Sequence, residues 1–339
     1  MKKLMDATRP GKSSAPRVFL FRLLLILLLF TAALGALVWR APTWVGAKLT
    51  RFRLYAEGFR SHTALLNGHH VFYIEGGPAG GANVVLIHGL GTEAEEDWVV
   101  LAPYLVRAGY HVYAMDLLGY GRSDKPTEMS YSISEEARFV ESFLEASHLT
   151  SVCLAGVSMG GWIAAAVALD KPQTVSRLML FDSAGMEYRL SFDQAIFTPR
   201  TGAQVDQLMA VATPNAPRLP DFVKADYIRR SNRDGWVIQR ALVSMVSGVD
   251  NLDNRFSALK IPVLLVWGKQ DVITPLSVGE AMHRAAPQST LVVYDGCGHI
   301  AVVTCMNEIA PTVLNFLSGV GPEPRKTIEV PARKHFLMP

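Results

Sequence analysis

The chain has 339 residues, half of them hydrophobic and 19% charged, with a formal net charge of +3. That length accommodates one large core with an insertion, or two modest domains, and the composition excludes a disordered chain. The small positive charge is scattered rather than gathered into a stripe with aromatics, which argues against a nucleic-acid partner.

The first predicted element is apolar. Residues 23–39 carry no charge and residues 18–21 extend the run beyond Arg22, about the minimum length for a membrane span. Lys2, Lys3, Arg9, Lys12, Arg17 and Arg22 precede it, while Arg40, Lys48, Arg51 and Arg53 follow. This bias favours a cytoplasmic N-terminus and places the rest of the chain on the non-cytoplasmic side, periplasmic or lumenal/extracellular. Three readings compete. An uncleaved single-pass signal-anchor within residues 1–40 comes first, because the run exceeds the usual signal-peptide core of about 7–15 residues. A cleaved signal peptide is second, since Ala33-Leu34-Gly35-Ala36 offers small residues to a peptidase. A buried helix of a soluble fold is third, because nothing in the run is amphipathic. Residues 41–61 form a basic and aromatic juxtamembrane linker (Trp44, Arg51, Phe52, Arg53, Tyr55, Phe59). That composition suits a membrane–water interface, with an ordinary linker as the plain alternative.

Residues 64–66, Asn67-Gly68 and residues 71–74 predict a hairpin with an Asn-Gly turn. Apolar strands then alternate with helices. Strands are expected at 84–87, 111–115, 152–155, 178–181, 263–267 and 291–294, with helices near 98–106, 133–147, 162–169, 276–285 and 304–317. Continuous apolar strands between helices imply a mostly parallel sheet covered on both faces. The rhythm stops for residues 186–257, which contain helix-like patches and the prolines Pro199, Pro214, Pro217 and Pro220. A structureless loop of that length is improbable, so a helical cap is expected there. The core is thereby split into residues 62–185 and 258–320, and the basic, proline-rich residues 321–339 are expected to be a flexible tail.

Of the three cysteines, Cys153 suits a buried strand, and Cys297 and Cys305 can pair in an oxidising compartment. No CxxC or histidine cluster points to a metal. Neighbours on a strand face opposite ways, so His69-His70 reads as a solvated turn rather than a ligand pair.

The stretch richest in chemistry is Gly156-Val157-Ser158-Met159-Gly160-Gly161, between a predicted strand and an alanine-rich helix. A serine in such a turn, with glycine two positions to either side, is the pattern of a nucleophile elbow. A glycine-rich turn with an incidental serine is the bland alternative. A serine needs a base and the base needs an orienting acid. Asp271 and His299 follow the ends of two late strands, on the sheet edge that carries Ser158. Asp271 as a helix cap and His299 as a loop residue are the simpler readings of each alone. Asp182, after an earlier strand, is the rival acid. The loop His88-Gly89-Leu90-Gly91 follows the strand at 84–87. Leu90 and Met159 are therefore the candidate oxyanion donors, with His88 holding the loop by hydrogen bonds.

Together, Leu86-Ile87-His88-Gly89, Met115-Asp116-Leu117-Leu118-Gly119-Tyr120-Gly121-Arg122-Ser123-Asp124, the elbow, Val266-Trp267-Gly268-Lys269-Gln270-Asp271 and Gly296-Cys297-Gly298-His299 resemble the α/β-hydrolase family. They are most similar to its membrane-anchored monoacylglycerol lipases and related bacterial lipases, over roughly residues 62–318. Many relatives carry an acidic residue and a proline soon after the histidine. Here the run is Ile300-Ala301-Val302-Val303-Thr304-Cys305-Met306-Asn307, which leaves the triad intact. The resemblance implies an eight-stranded, mostly parallel sheet with a cap, and a catalytic triad of Ser158, Asp271 and His299. It also implies Leu90 and Met159 at the oxyanion hole, and no metal or organic cofactor. The expected activity is hydrolysis of carboxylic esters through an acyl-enzyme. The expected partners are a lipid-like acyl ester as substrate and a membrane bilayer. The alternative is C–C bond hydrolysis of diketone ring-cleavage products, which uses the same triad. Dehalogenase and epoxide hydrolase chemistry is disfavoured because those relatives place Asp at the elbow. A hydrolase-like binding protein would be expected to lack a triad member.

Overall fold

The computed structural model describes residues 15–214, 216–319 and 325–329. The expected basic N-terminal tail at residues 1–14 and the end of the expected C-terminal tail, residues 330–339, lie outside the described residues.

The apolar N-terminal run is a helix, α1 (Ala15–Arg40). Its segment Phe19–Arg40 is long and apolar enough to cross a membrane, and none of its apolar window is buried in the protein. The chain turns at Ala41 and enters α2 (Pro42–Ala56), whose first position is a proline, as suits a residue with no amide to leave unpaired. Leu54 of α2 and Phe59 after it are buried in the core.

A hairpin follows, β1 (Arg60–Leu66) and β2 (His69–Gly76), closed by Asn67 and Gly68 at φ 52° and 85°. Both residues sit in the left-handed region that a tight hairpin turn requires. The sheet continues with β3 (Asn83–Ile87), β4 (His111–Met115), β5 (Val152–Val157), β6 (Val175–Phe181), β7 (Val263–Gly268) and β8 (Thr290–Asp295). A ninth strand, β9 (Lys326–Glu329), closes the series. The order is β1-β2-β4-β3-β5-β6-β7-β8-β9, with β2 antiparallel to both β1 and β4 and every other pair parallel.

The sheet has one strand more than the eight expected. The addition is β9, inside the stretch expected as a flexible tail, and it pairs in parallel with residues 292–295 of β8. Its four residues hold one strongly apolar side chain, Ile328, too little pattern to register as a strand in sequence. The half-buried Ile328 packs against the core beneath.

Helices cover both faces, which is why the central strands are apolar throughout. Alternate residues of one strand feed two separate cores. Val263, Leu265 and Trp267 of β7 join one, with α5 (Ile133–Ala146), α6 (Met159–Asp170) and α10 (Leu276–Ala285). Leu264 and Val266 join the other, with α4 (Leu101–Arg107) and α12 (Met306–Leu317). This is the two-residue period of a strand buried on both sides. Two short helices sit at the C-terminal edge of the sheet: α3 (Ala94–Asp97) after β3, and α11 (Ala301–Thr304) after β8.

Between β6 and β7 the described residues form a 3₁₀ turn (Gln194–Phe197), three helices, α7 (Gly202–Ala212), α8 (Asp221–Arg233) and α9 (Gly235–Ser247), and a second 3₁₀ turn (Phe256–Ala258) just before β7. A capping box of Thr201 and Gln204 starts α7, and Gly248 at φ 71° ends α9. Helix α8 also meets the N-terminal helices. Phe222 stacks on Trp39 with centroids 4.6 Å apart, Asp226 Oδ2 accepts from the Thr43 amide at 2.9 Å, and Arg229 donates to the Arg40 carbonyl at 3.0 Å.

Candidate active site

Ser158 lies between β5 and α6 with φ 55° and ψ −120°, a conformation that an L-residue adopts at a cost. Backbone bonds hold it there. Its amide donates to Phe181 O at 3.0 Å, and its carbonyl accepts from Gly161, Trp162 and Ala184 at 3.0, 3.2 and 3.1 Å. The flanking glycines are required by space. A Cβ on Gly156 would lie 2.1 Å from Gly160 O, and one on Gly160 would lie 2.3 Å from the carbonyls of Ile87 and His88. Met159 opens α6 with its side chain buried beside the Tyr120 hydroxyl. The Ser158 side chain thus sits at a helix N-terminus, where backbone dipoles favour negative charge.

At the ends of β7 and β8, Asp271 and His299 meet. Asp271 Oδ2 lies 2.8 Å from His299 Nδ1, and both residues are buried. A carboxylate facing Nδ1 fixes the proton on that nitrogen and leaves Nε2 as the ring's basic atom. The carboxylate is oriented in turn. Oδ1 accepts from the amides of Ile273 and Thr274 at 2.8 and 2.9 Å, and Oδ2 lies 2.6 Å from Thr274 Oγ1. The same hydroxyl is 2.7 Å from Asp182 O and 3.1 Å from His299 Nδ1. Thr274 therefore touches both the acid and the imidazole. Sequence reasoning missed it; the available signal was a threonine three residues after an aspartate, the spacing of a local side-chain-to-backbone turn.

The rival acid has a different partner. Asp182 Oδ1 accepts from the Gly268 amide at 2.7 Å, and no described hydrogen bond joins its carboxyl to His299. Burial, and then the charge of Asp271, hold its pKa well above the ordinary range. A disulfide joins Cys297 to Cys305 and spans the segment that carries His299.

The loop after β3 forms the opposite wall. His88 Nδ1 lies 2.8 Å from the Gly89 carbonyl, and His88 Nε2 accepts from the Leu117 amide at 3.0 Å. That pairing assigns the proton to Nδ1. Thr92 Oγ1 also reaches the Gly89 carbonyl, at 3.0 Å, and Asp97 Oδ2 accepts from the Gly89 amide at 2.8 Å. With the Gly89 carbonyl held this way, the trans peptide turns the Leu90 N–H to the opposite side. Behind the loop, Asp116 accepts from the amides of Ala94 and Arg122, each at 2.8 Å. Its burial pushes its pKa up to about 6.

Ser158, His299 and Gly89-Leu90-Gly91 line one cavity of about 910 Å³. Its walls mix apolar side chains (Trp162 from α6, Phe192 and Phe197 near the first 3₁₀ turn, and Leu208, Leu242 and Met245 from α7 and α9) with polar ones that include Glu187, Arg189 and Gln194. The structure thus brings Ser158, His299 and Leu90 to one space, sets Asp271 behind His299, and seats Met159 at the head of α6. Among the described residues, no group of three or more His, Cys, Asp or Glu could hold a metal ion.

Residues 82–304 match the model of the alpha/beta hydrolase fold. The chain belongs to the α/β-hydrolase fold family. Lipase 1 of Psychrobacter immobilis is 29% identical over 271 residues, covering 75% of this chain and 82% of that protein. The 2-hydroxy-6-oxo-6-(2'-aminophenyl)hexa-2,4-dienoic acid hydrolase of Metapseudomonas resinovorans is 28% identical, over 73% of this chain and 87% of that protein. Among solved structures, a membrane phospholipase A is 28% identical with a TM-score of 0.75, and the match covers 88% of this chain and 98% of that one. This α/β-hydrolase carries a serine at its elbow.

Proposed function

We propose that this hydrolase cleaves lipid-like acyl esters, such as monoacylglycerols, through an acyl-enzyme on Ser158. His299 Nε2 takes the Ser158 proton as the hydroxyl attacks the ester carbonyl. Asp271 holds the imidazole in the required tautomer and stabilises the imidazolium. The Leu90 and Met159 amides receive the tetrahedral oxyanion, at a helix N-terminus that favours its charge. His299 then returns the proton to the leaving alcohol, and water repeats the sequence to release the acid. The observation that carries this reading is the 2.8 Å Asp271–His299 pair behind the cavity that Ser158 also lines.

The cavity supports a lipid-like acyl group. Its volume of about 910 Å³ and the apolar side chains from α6, α7 and α9 leave room for a long hydrocarbon chain. The helix Phe19–Arg40 would hold the enzyme in a bilayer as a single-pass anchor, with the hydrolase domain on the non-cytoplasmic side. Relatives that hydrolyse dienoic acids favour a second reading, C–C bond cleavage by the same triad.

The test is an ester panel of graded acyl length, including monoacylglycerols, run beside a vinylogous diketone. Wild type is expected to turn over the esters, and Ser158→Ala to lose about 10⁴-fold or more in kcat. Unchanged activity in Ser158→Ala would sink the mechanism, and turnover of the diketone without esters would select C–C cleavage.

A further inference from the structure

The turn that follows the Gly89-Leu90 loop is strongly acidic. Glu93, Glu95, Glu96 and Asp97 stand within five consecutive residues, and Glu95 is almost fully buried. Left to themselves, these carboxylates would repel one another and open the turn. Arginines from three separate elements hold it closed. Arg51 of α2 forms a fork on Glu95, with Nε 3.0 Å from Oε1 and Nη2 3.0 Å from Oε2. Arg122, from the loop after β4, adds Nη2 at 2.6 Å to Glu95 Oε1 while its guanidinium lies over Phe72. Arg230 of α8 reaches Glu96 Oε1 at 2.5 Å and Glu93 Oε2 at 3.2 Å. Burial, then neighbouring carboxylates, raise Glu93 above the ordinary range; burial does the same to Glu96; and Arg230 pulls both back.

The turn ends at Asp97, whose Oδ2 accepts from the Gly89 amide at 2.8 Å and from Thr92 Oγ1 at 2.7 Å. A displacement of the turn therefore moves the Gly89–Leu90 peptide. We propose that Arg51 and Arg230 are positioning residues of the oxyanion hole: the juxtamembrane helix and the cap clamp the acidic turn, and Asp97 passes that constraint to the Leu90 amide. Neither arginine lines the wall formed by Ser158 and His299, and neither touches the ester. Their effect falls on stabilisation of the transition state rather than on substrate binding. Helix α2 thus does more than connect the anchor to the hydrolase. The inference rests on the reading of Leu90 as an oxyanion donor.

The test uses the full chain in detergent micelles and the soluble ester p-nitrophenyl butyrate, so that membrane access plays no part. Arg51→Met and Arg230→Met are expected to lower kcat about tenfold or more with KM within about twofold, the pattern of a lost transition-state interaction. In a double-mutant cycle, Arg51→Met with Glu95→Gln is expected to recover to within about threefold of wild type, because the buried carboxylate that has lost the Arg51 fork and keeps only Arg122 is replaced by a neutral amide. Arg51→Lys, which keeps the charge without the fork, is expected to fall between wild type and Arg51→Met, and it carries the test if Arg51→Met does not fold. Unchanged kcat in folded Arg51→Met, a change in KM alone, or a double variant equal to the product of its singles overturns the proposal. Ser158→Ala separates the two levels. If it remains active, the serine mechanism itself fails. If it is inactive while folded Arg51→Met is unimpaired, only the clamp fails.

Discussion

The two sides of the cavity are built differently. The Asp271–His299 side is local to neighbouring strand ends: β7 delivers the acid, β8 delivers the imidazole, and Thr274 and two amides orient the carboxylate within three residues of it. The Gly89-Leu90 side depends on distant chain. Its Gly89 carbonyl is held by His88 and Thr92, its amide by Asp97, and the acidic turn behind it by arginines from α2, α8 and the loop after β4. A compact group of short hydrogen bonds tolerates movement elsewhere in the protein. A loop braced by α2 and α8 is coupled to both of those helices. The comparison predicts that damage to the first side is severe and confined to its own residues, whereas damage to the second can be inflicted from far away.

The largest effect that tests this contrast is Asp271→Asn. An amide at that position favours the wrong imidazole tautomer, and kcat is expected to fall about 10⁴-fold with the fold intact. Asp182→Asn, which keeps an acceptor for the Gly268 amide, is expected to stay within about threefold of wild-type kcat because its carboxyl makes no described bond to His299. Steady-state kinetics on one soluble ester decides the matter. If the two losses are reversed, Asp182 is the working acid and the acid–base side is not a local unit.

A smaller effect probes the same side. Thr274→Val keeps the shape and removes a hydroxyl placed 2.6 Å from Asp271 Oδ2 and 3.1 Å from His299 Nδ1. We expect kcat to drop about tenfold with KM within about twofold, equivalent to about 1.4 kcal/mol. A change in KM alone would mean that Thr274 shapes the cavity rather than the acid–base pair.

The contrast between the two sides also explains what could be read from sequence. The elbow is legible because its geometry excludes side chains at Gly156 and Gly160, so sterics write glycine into the chain. Asp271 and His299 are legible because each follows a continuous apolar strand, and strand ends share one edge of a parallel sheet. Arg51 is not legible as a partner of Glu95. The two are 44 residues apart, and an arginine among aromatics after an apolar run has the composition of an interface segment. Strand β9 escaped for another reason: four residues beside proline and basic side chains carry too little periodicity to separate from a tail.

The smallest catalytic effect, and the clearest dependence on pH, is expected at Asp116. It supports the Gly89-Leu90 side from behind through the Ala94 amide, with no described contact to Ser158 or His299. Burial raises its pKa from 3.8 to about 6, so the folded protein binds this proton more tightly than the unfolded chain does. The stability from that proton is fully present below pH 3.8 and is lost as pH rises through about 6. The shift corresponds to a few kcal/mol at most, or roughly 3 kcal/mol before relaxation of the site. Asp116→Asn is always neutral and lacks this loss. Its Tm relative to wild type is therefore expected to become more favourable between pH 4.5 and pH 7.5, while kcat on a soluble ester changes by about threefold or less. Thermal melts of both proteins across that range supply the measurement. A gap in Tm that stays constant would show that the Asp116 carboxyl does not titrate in this window. A large fall in kcat would show that support of the loop from this side matters as much as the arginine clamp in front of it.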